Sequence, residues 1–493
     1  MMCERVAGPG DGPAVEKLRR ARLALMGLGE DGARIGPGMF DAGVVSFAHG
    51  EGVRRPFPGA IRNAVAALRD AEAAPIENYM FLKRFPDLEA EIAQSFRRIA
   101  VPDIYARNVV LDAGSTRLMV AALGLMTRGG AEVVTSPGFY HPLAGWCGYL
   151  DRALHVLPTT RTCAYKLRAQ ELRDWLTRTR PATPPLLVLF NPTMTGAVYT
   201  QDEMNALGEV LVEADMLAIE DALFAGSEYD ADATGGRLAA SSAGERCLTV
   251  AGASKLHCLA NLRIGWGCGP DWLTDALQDY VTSSAASIPH VAKAAALGAL
   301  RAPEAFVRRN VEECRQRIAL VCELVHGLDA RLRAATRMNA PMVTIGHEVA
   351  AGHSVLLEFP CLVGHEPPGG GDVRDGADLT RLFLHEARVA FAPAVSHGFD
   401  GPRVRANVAS IGTNLTYGAS RLWENCADED WGEEQERSFD AGFAQARELI
   451  SSTFAERIEP ALFRLLDQPA ESARPLPRRP SPAAIAAGQG AAL

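Results

Sequence analysis

The chain has 493 residues, 48% of them hydrophobic and 22% charged, enough for two or three folding units and a core able to enclose a small molecule. Lysine plus arginine number 50 against 59 aspartate plus glutamate, a formal charge of −9, which argues against a general nucleic-acid binder but leaves room for a local basic pocket. No run approaches the ~20 apolar residues of a membrane helix, the early polar residues Glu4, Arg5 and Asp11 do not form a secretion signal, and ten scattered cysteines without a CxxC pair argue against a metal cluster and for a reducing, cytoplasmic setting.

Residues 1–13 are rich in Gly and Pro and read as mobile. Ala14 to Met26 has the apolar period of a short helix with a basic face of Lys17, Arg19, Arg20 and Arg22. From about residue 60 to 300, helical patterns alternate with short apolar strands at Val109–Leu111, Glu132–Val134, Leu186–Phe190, Met216–Ile219 and Leu248–Val250. Strands separated by helices imply an α/β unit whose largely parallel sheet is covered on both faces. Ligands of such sheets gather at the carboxyl ends of the strands. Pro303 to Leu328 reads as one long helix, with Pro near its start and Gly327 near its end. A strand at Ser354–Phe359, a Gly/Pro-rich loop at Gly364–Gly371 and a helix at Asp378–Arg388 suggest a second, smaller α+β domain. Residues 468–493 hold many Pro, Ala and Arg without an apolar period and read as a disordered tail.

Four segments carry candidate chemistry. Ser254-Lys255 is followed by Arg263-Ile264-Gly265-Trp266. A lysine just past a buried strand can form a Schiff base with an aldehyde, and an arginine fork can hold a phosphate. By themselves the two also fit a surface lysine and a structural arginine. Asn191-Pro192-Thr193-Met194-Thr195-Gly196 directly follows the strand Leu186–Phe190. Its Asn can donate to a ligand oxygen, and the segment also fits an ordinary strand-to-helix turn. Glu220-Asp221 ends another strand, where a carboxylate can pair with a protonated heterocycle nitrogen or cap a helix. Gly114-Ser115-Thr116 precedes an apolar helix, Leu118–Met126, and serves equally as a phosphate site or a plain cap.

In this order and spacing the four segments resemble the fold type I pyridoxal-phosphate enzymes of the class I/II aminotransferase family, over roughly residues 45–415. The resemblance implies a three-layer large domain with a mostly parallel sheet and a smaller α+β domain. The expected divisions are an N-terminal extension at 1–45, a coenzyme-binding domain at 46–325, a small domain at 326–467 and a tail at 468–493. It also implies roles. Lys255 would hold pyridoxal 5′-phosphate as a Schiff base and shuttle the Cα proton. Asp221 would pair with the pyridinium nitrogen and Asn191 with the ring's phenolic oxygen. Ser115, Thr116, Ser254 and Arg263 would hold the phosphate. Phe139, in Ser136-Pro137-Gly138-Phe139-Tyr140, would stack on the ring, with Tyr140 as substitute if the register is off by one. Arg405 would clamp the substrate α-carboxylate. Arg403 is its runner-up, because residues two apart on a strand share a face. Tyr79, nine residues before Leu88, would reach the phosphate of the neighbouring subunit of a homodimer.

The chain departs from the family pattern at several contacts. The family has a Tyr three residues after the Asp, with its hydroxyl on the ring oxygen; here it is Phe224. The hydroxyl residue three before the lysine is replaced by Gly252, and the Gly before the Arg-Ile-Gly-Trp segment by Leu262. The loop after Tyr79 has Lys83-Arg84 where Gly is usual. His257 and Cys258 read as packing residues, while His290 and His49 are candidates for the substrate entrance.

The expected function is amino transfer from an α-amino acid to a 2-oxo acid. The alternative is β- or γ-elimination, replacement or carbon–carbon bond formation from the same carbanion. A transcription regulator with an enzyme-like sensor is disfavoured, because about 45 residues before the enzyme-like part are too few for an ordinary DNA-binding domain.

Overall fold

The computed structural model describes residues 12–467, apart from 51, 54–55, 71–84, 103, 231–234, 286 and 413–431. The elements of its first half are α1 (Pro13–Leu25), β1 (Val45–Phe47), α2 (Pro58–Arg69), α3 (Pro86–Arg98), β2 (Val109–Asp112), α4 (Ser115–Met126), β3 (Val133–Thr135), α5 (Pro142–Tyr149), β4 (Leu154–Val156), α6 (Ala169–Thr179), β5 (Leu186–Phe190), α7 (Gln201–Glu213), β6 (Leu217–Asp221) and β7 (Cys247–Gly252). Then come β8 (Gly265–Cys268), α8 (Asp271–Ala285), α9 (His290–Leu300), α10 (Glu304–Thr336), β9 (Thr344–Ile345), β10 (Ser354–Glu358), α11 (Gly376–Glu386), β11 (Val389–Pro393), β12 (Arg403–Asn407), α12 (Glu433–Thr453) and α13 (Glu459–Asp467).

Seven strands form one sheet in the order β2-β8-β7-β6-β5-β3-β4. β8 runs antiparallel to both its neighbours, and the other pairs are parallel. The central strand β5 explains the layering. Leu186, Val188 and Phe190 pack with Leu118, Leu123 and Leu273 on one face. Leu187 and Leu189 pack with Leu172, Met204 and Leu207 on the other. A strand apolar at every position needs helices on both sides, so the unit has three layers. Helices α2, α3 and α9 close the β2–β8 edge through Ala60, Ile92, Phe96 and Ala295, against Trp266 and Cys268.

The second sheet has the order β1-β11-β12-β10-β9 and is mostly antiparallel. Its core joins Phe47, Phe359, Phe383 and Phe391 to residues of α10 and the C-terminal helices. One sequence expectation changes here. The long helix does not stop near Gly327 but runs on to Thr336, because Ile318, Val321, Val325, Leu328 and Leu332 keep one buried stripe at helical spacing. α10 therefore crosses the expected boundary at 325. Within the expected N-terminal extension, the helix expected from Ala14 to Met26 is α1. α1 buries Ala21 and Ala24 against Ala377 and Val395. Its basic face is neutralised there: Arg20 reaches Asp375 at 2.7 Å and Asp378 at 3.3 Å, and Lys17 reaches Asp400 at 2.9 Å. The expected tail at 468–493 lies outside the described residues.

Candidate active site

The carboxyl ends of β5, β6 and β7 and the amino end of α4 open into one cavity, whose wall includes Ser115, Thr116, Asp221, Ser254, Lys255 and Arg263. They arrive from four places: Ser115 and Thr116 at the start of α4, Asp221 at the end of β6, Ser254 and Lys255 after β7, and Arg263 before β8. α4 starts directly after Gly114, whose φ of +92° suits glycine. A Cβ there would stand 2.6 Å from Arg263 Nη2, so the guanidinium lies against the first turn of α4. The free N–H groups of that turn, the helix dipole, two hydroxyls and the guanidinium together make a site for a dianion. Gly252, where the family carries a hydroxyl, is pressed between Ile264 O and Leu223, within 3.2–3.4 Å of where its Cβ would be.

Asp221 ends β6, buried, its Oδ1 accepting from the Leu223 N–H at 3.0 Å. Burial pushes its carboxyl up to about 6, against the pull of that N–H and of Lys255. A carboxylate desolvated this way is stabilised by a cationic partner, and a protonated heterocycle nitrogen supplies one. Lys255 lies in the turn after β7 and donates to Gly50 O at 2.6 Å.

Two ligand contacts expected from the sequence are not where they were placed. Asn191 is fully buried and turned away: its Nδ2 donates to Gly236 O at 2.6 Å and to Glu220 Oε1 at 3.3 Å, while its Oδ1 accepts from the Tyr199 N–H. Glu220 in turn meets Arg237 at 3.5 Å and accepts from the Leu238 N–H. Pro192 and Met194 line the cavity instead. Phe139 faces the core, packing with Leu143 and Phe190, and its carbonyl is held by His397 Nδ1 at 2.8 Å. Tyr140 lines the cavity wall with Asp221 and Arg263, alongside Trp146, Phe190 and Phe224, and burial raises its hydroxyl. The substitution of register by one residue follows from the turn at Gly138, φ +88°.

The two arginines of β12 are separated by the neighbouring strand. Glu358 of β10 takes Arg403, Nε to Oε1 at 2.8 Å. Arg405 is 5% exposed, donates from Nη2 to Ala48 O at 3.3 Å and leaves Nε without a partner. Burial lowers its guanidinium to about 10. Segment 48–50 thus covers both Arg405 and Lys255. His49 in that segment stacks on Phe40, ring centroids 5.3 Å apart. His290 packs on Phe85 at the start of α9, away from the Lys255 cavity. His257 lines a separate cavity with Arg98 and Trp266. Tyr79 lies outside the described residues.

Sequence reasoning missed His353 and Asn407. Both are buried, and His353 Nε2 and Asn407 Nδ2 lack partners among the described residues. Asn407 could have been found, since it follows Arg405 by two on the same face. His353 precedes its strand and left no signal in the pattern.

The aminotransferase class I and II family model matches residues 53–351. The aspartate/prephenate aminotransferase of Cereibacter sphaeroides is 26% identical over 373 residues, covering 74% of this chain and 88% of that protein. The aspartate aminotransferase of Streptomyces avermitilis is 24% identical over 387 residues, covering 77% and 88%. Among solved structures, the aspartate aminotransferase from Rhizobium meliloti superposes with a TM-score of 0.66 at 18% identity, over 93% of this chain and 99% of its own. The aspartate aminotransferase from Thermus thermophilus with maleate gives 0.64 at 19%, over 90% and 96%. No helix among the described residues is long and apolar enough to cross a membrane.

Proposed function

The chain belongs to the aminotransferase class I and II family, which works with pyridoxal 5′-phosphate, and from that premise we propose that it moves the amino group of an α-amino acid to a 2-oxo acid. The observation that carries this is the convergence of Lys255, Asp221 and the Arg263-backed start of α4 on one cavity. When bound, the coenzyme supplies an electron sink for the charge left when Cα loses its proton. The chain's own residues do the rest. Lys255 anchors the coenzyme and then moves the proton at Cα. Asp221 holds a proton on the ring nitrogen. The start of α4, Ser254 and Arg263 grip the phosphate. Tyr140 stacks on the ring, and Arg405 takes the substrate α-carboxylate under segment 48–50.

The curated relatives act, by their names, on aspartate or prephenate, and a dicarboxylic substrate is the first to try. The working unit is proposed as a homodimer, after the family pattern in which the tyrosine matching Tyr79 serves the neighbouring subunit. A cytoplasmic location is supported by the eight free cysteines of the described residues, since free thiols suit a reducing compartment.

The test is borohydride reduction of the coenzyme-loaded protein, followed by peptide mass spectrometry, which should place the adduct on Lys255. Adding aspartate and other amino acids without a 2-oxo acid should convert the coenzyme stoichiometrically to its amine form. Release of ammonia in place of that conversion would move the reaction to the elimination class.

A further inference from the structure

Building on the coenzyme assignment above, we propose that His353 is the hydrogen-bond donor to the phenolic oxygen of the bound ring, taking the place of the hydroxyl that position 224 lacks.

Both groups expected at that oxygen are missing from the cavity. Asn191 is occupied by Glu220, Gly236 and Tyr199, and Phe224 carries no hydroxyl. The nearby tyrosines do not fill the gap. Tyr229 OH donates to Gly352 O at 2.9 Å, and Tyr140 lines the cavity with Asp221 and Arg263 and has the stacking role proposed above. A phenolate oxygen left with no donor in a desolvated site is costly.

His353 is where the missing group would be. Its ring meets the Phe224 ring edge-on, centroids 4.9 Å apart at 79°. It is 6% exposed and its Nε2 has no partner among the described residues. That nitrogen lies 3.8 Å from the point where a Cβ on Gly50 would stand, and Lys255 Nζ lies 3.5 Å from the same point. His353 lines one small void with Lys255 and Phe224, and those two residues also belong to the wall of the neighbouring coenzyme cavity. Asn407 Nδ2 also approaches that point, at 3.1 Å. However, Asn407 shares its face of β12 with Arg405, and its Oδ1 is held by the Ala409 N–H. Its amide therefore belongs with the carboxylate clamp.

The surroundings keep the imidazole neutral. Burial, Lys255 and Arg405 hold His353 well below its usual value. The other titratable groups around it are the thiols of Cys258 and Cys314 across a small void, and Tyr229. Burial raises Cys314 to about 12 and Tyr229 well above its usual value. A neutral imidazole can carry its proton on Nε2 and donate without adding a second cation beside Lys255.

The experiment is a pH titration of the near-visible band of the holoenzyme. A donor on the ring oxygen stabilises its negative charge and so eases loss of the proton shared with the Schiff-base nitrogen. His353→Leu should raise the titration midpoint by about one pH unit or more, tenfold in proton affinity. Phe224→Tyr in the His353→Leu background should bring it back to near the wild-type value, whereas Phe224→Tyr alone should change it little. His353→Gln, which keeps an amide donor, should also stay near wild type. If His353→Leu does not fold, His353→Met takes its place. An unchanged midpoint in the apolar variant, or no return with Phe224→Tyr, overturns the proposal. Absence of any near-visible band in the wild-type protein with added coenzyme would instead overturn the coenzyme assignment.

Discussion

Glu220 and Asp221 are adjacent on β6 and point to opposite faces of the sheet. Glu220 is sealed into a network with Arg237 and Asn191, while Asp221 opens into the cavity with Lys255. The first carboxylate has counter-charges of its own. The second has the Leu223 N–H and shares its cavity with Lys255, and burial pushes its carboxyl up to about 6.

That asymmetry predicts the effect of Asp221→Asn on the coenzyme-free protein. A folded-state value near 6 against an ordinary 3.8 means that the native state binds the proton more tightly than the unfolded chain. Stability from this group is therefore full below about 3.8 and falls as pH rises to about 6. Asp221→Asn should stabilise the coenzyme-free protein above pH 6 by about 2–3 kcal/mol, seen as a higher melting temperature, with the difference fading at lower pH. The same variant should bind the coenzyme more weakly. Melting curves at pH 5 and pH 8, with and without coenzyme, check both signs.

Lys255→Ala should abolish the near-visible band and lower turnover by at least 10²–10⁴-fold, the usual contribution of a positioned acid–base group. Retention of a borohydride-stable adduct on another lysine would move the anchor.

Arg405→Ala should reduce kcat/KM for the amino acid by about 10- to 100-fold, as expected for a charged bidentate contact of ~1.5–3 kcal/mol. Coenzyme affinity should change little. Arg403→Ala loses an ion pair with Glu358 at the paired ends of β12 and β10 and should cost no more than about 1 kcal/mol of stability. Steady-state kinetics on the two variants separates them, and a larger kinetic loss in Arg403→Ala would reverse the assignment.

Gly114→Ala combines a strained φ with a Cβ only 2.6 Å from Arg263 Nη2. It should cost about 1–3 kcal/mol in stability and displace the guanidinium from the start of α4. Coenzyme affinity should fall, measured by fluorescence titration, and excess coenzyme should restore part of the activity. Full affinity in a folded Gly114→Ala protein would remove Arg263 from the phosphate site.

Much of this protein follows from local pattern. The apolar run Leu186–Phe190 dictates a doubly covered strand, because no other arrangement removes both of its faces from water. Lys255, Asp221, Ser115 and Arg263 sit at turns whose position is set by short-range rules of strand ends and helix starts, but their meeting in one site was what the resemblance to the class I/II aminotransferases implied, and they line one cavity. Contacts that depend on which way a side chain turns could not be read from order and spacing. Asn191 follows Glu220 into the buried network because Arg237, many residues later, supplies a charge that only the folded chain brings near. The one-residue exchange of Phe139 for Tyr140 is decided by a glycine turn and by His397 from the other sheet. Arg403 and Arg405 are equivalent along β12 until β10 pairs beside them and Glu358 captures one. His353 had no motif to mark it. Its partnerless nitrogen next to Phe224 exists only because two sheets, distant in sequence, close around the same lysine.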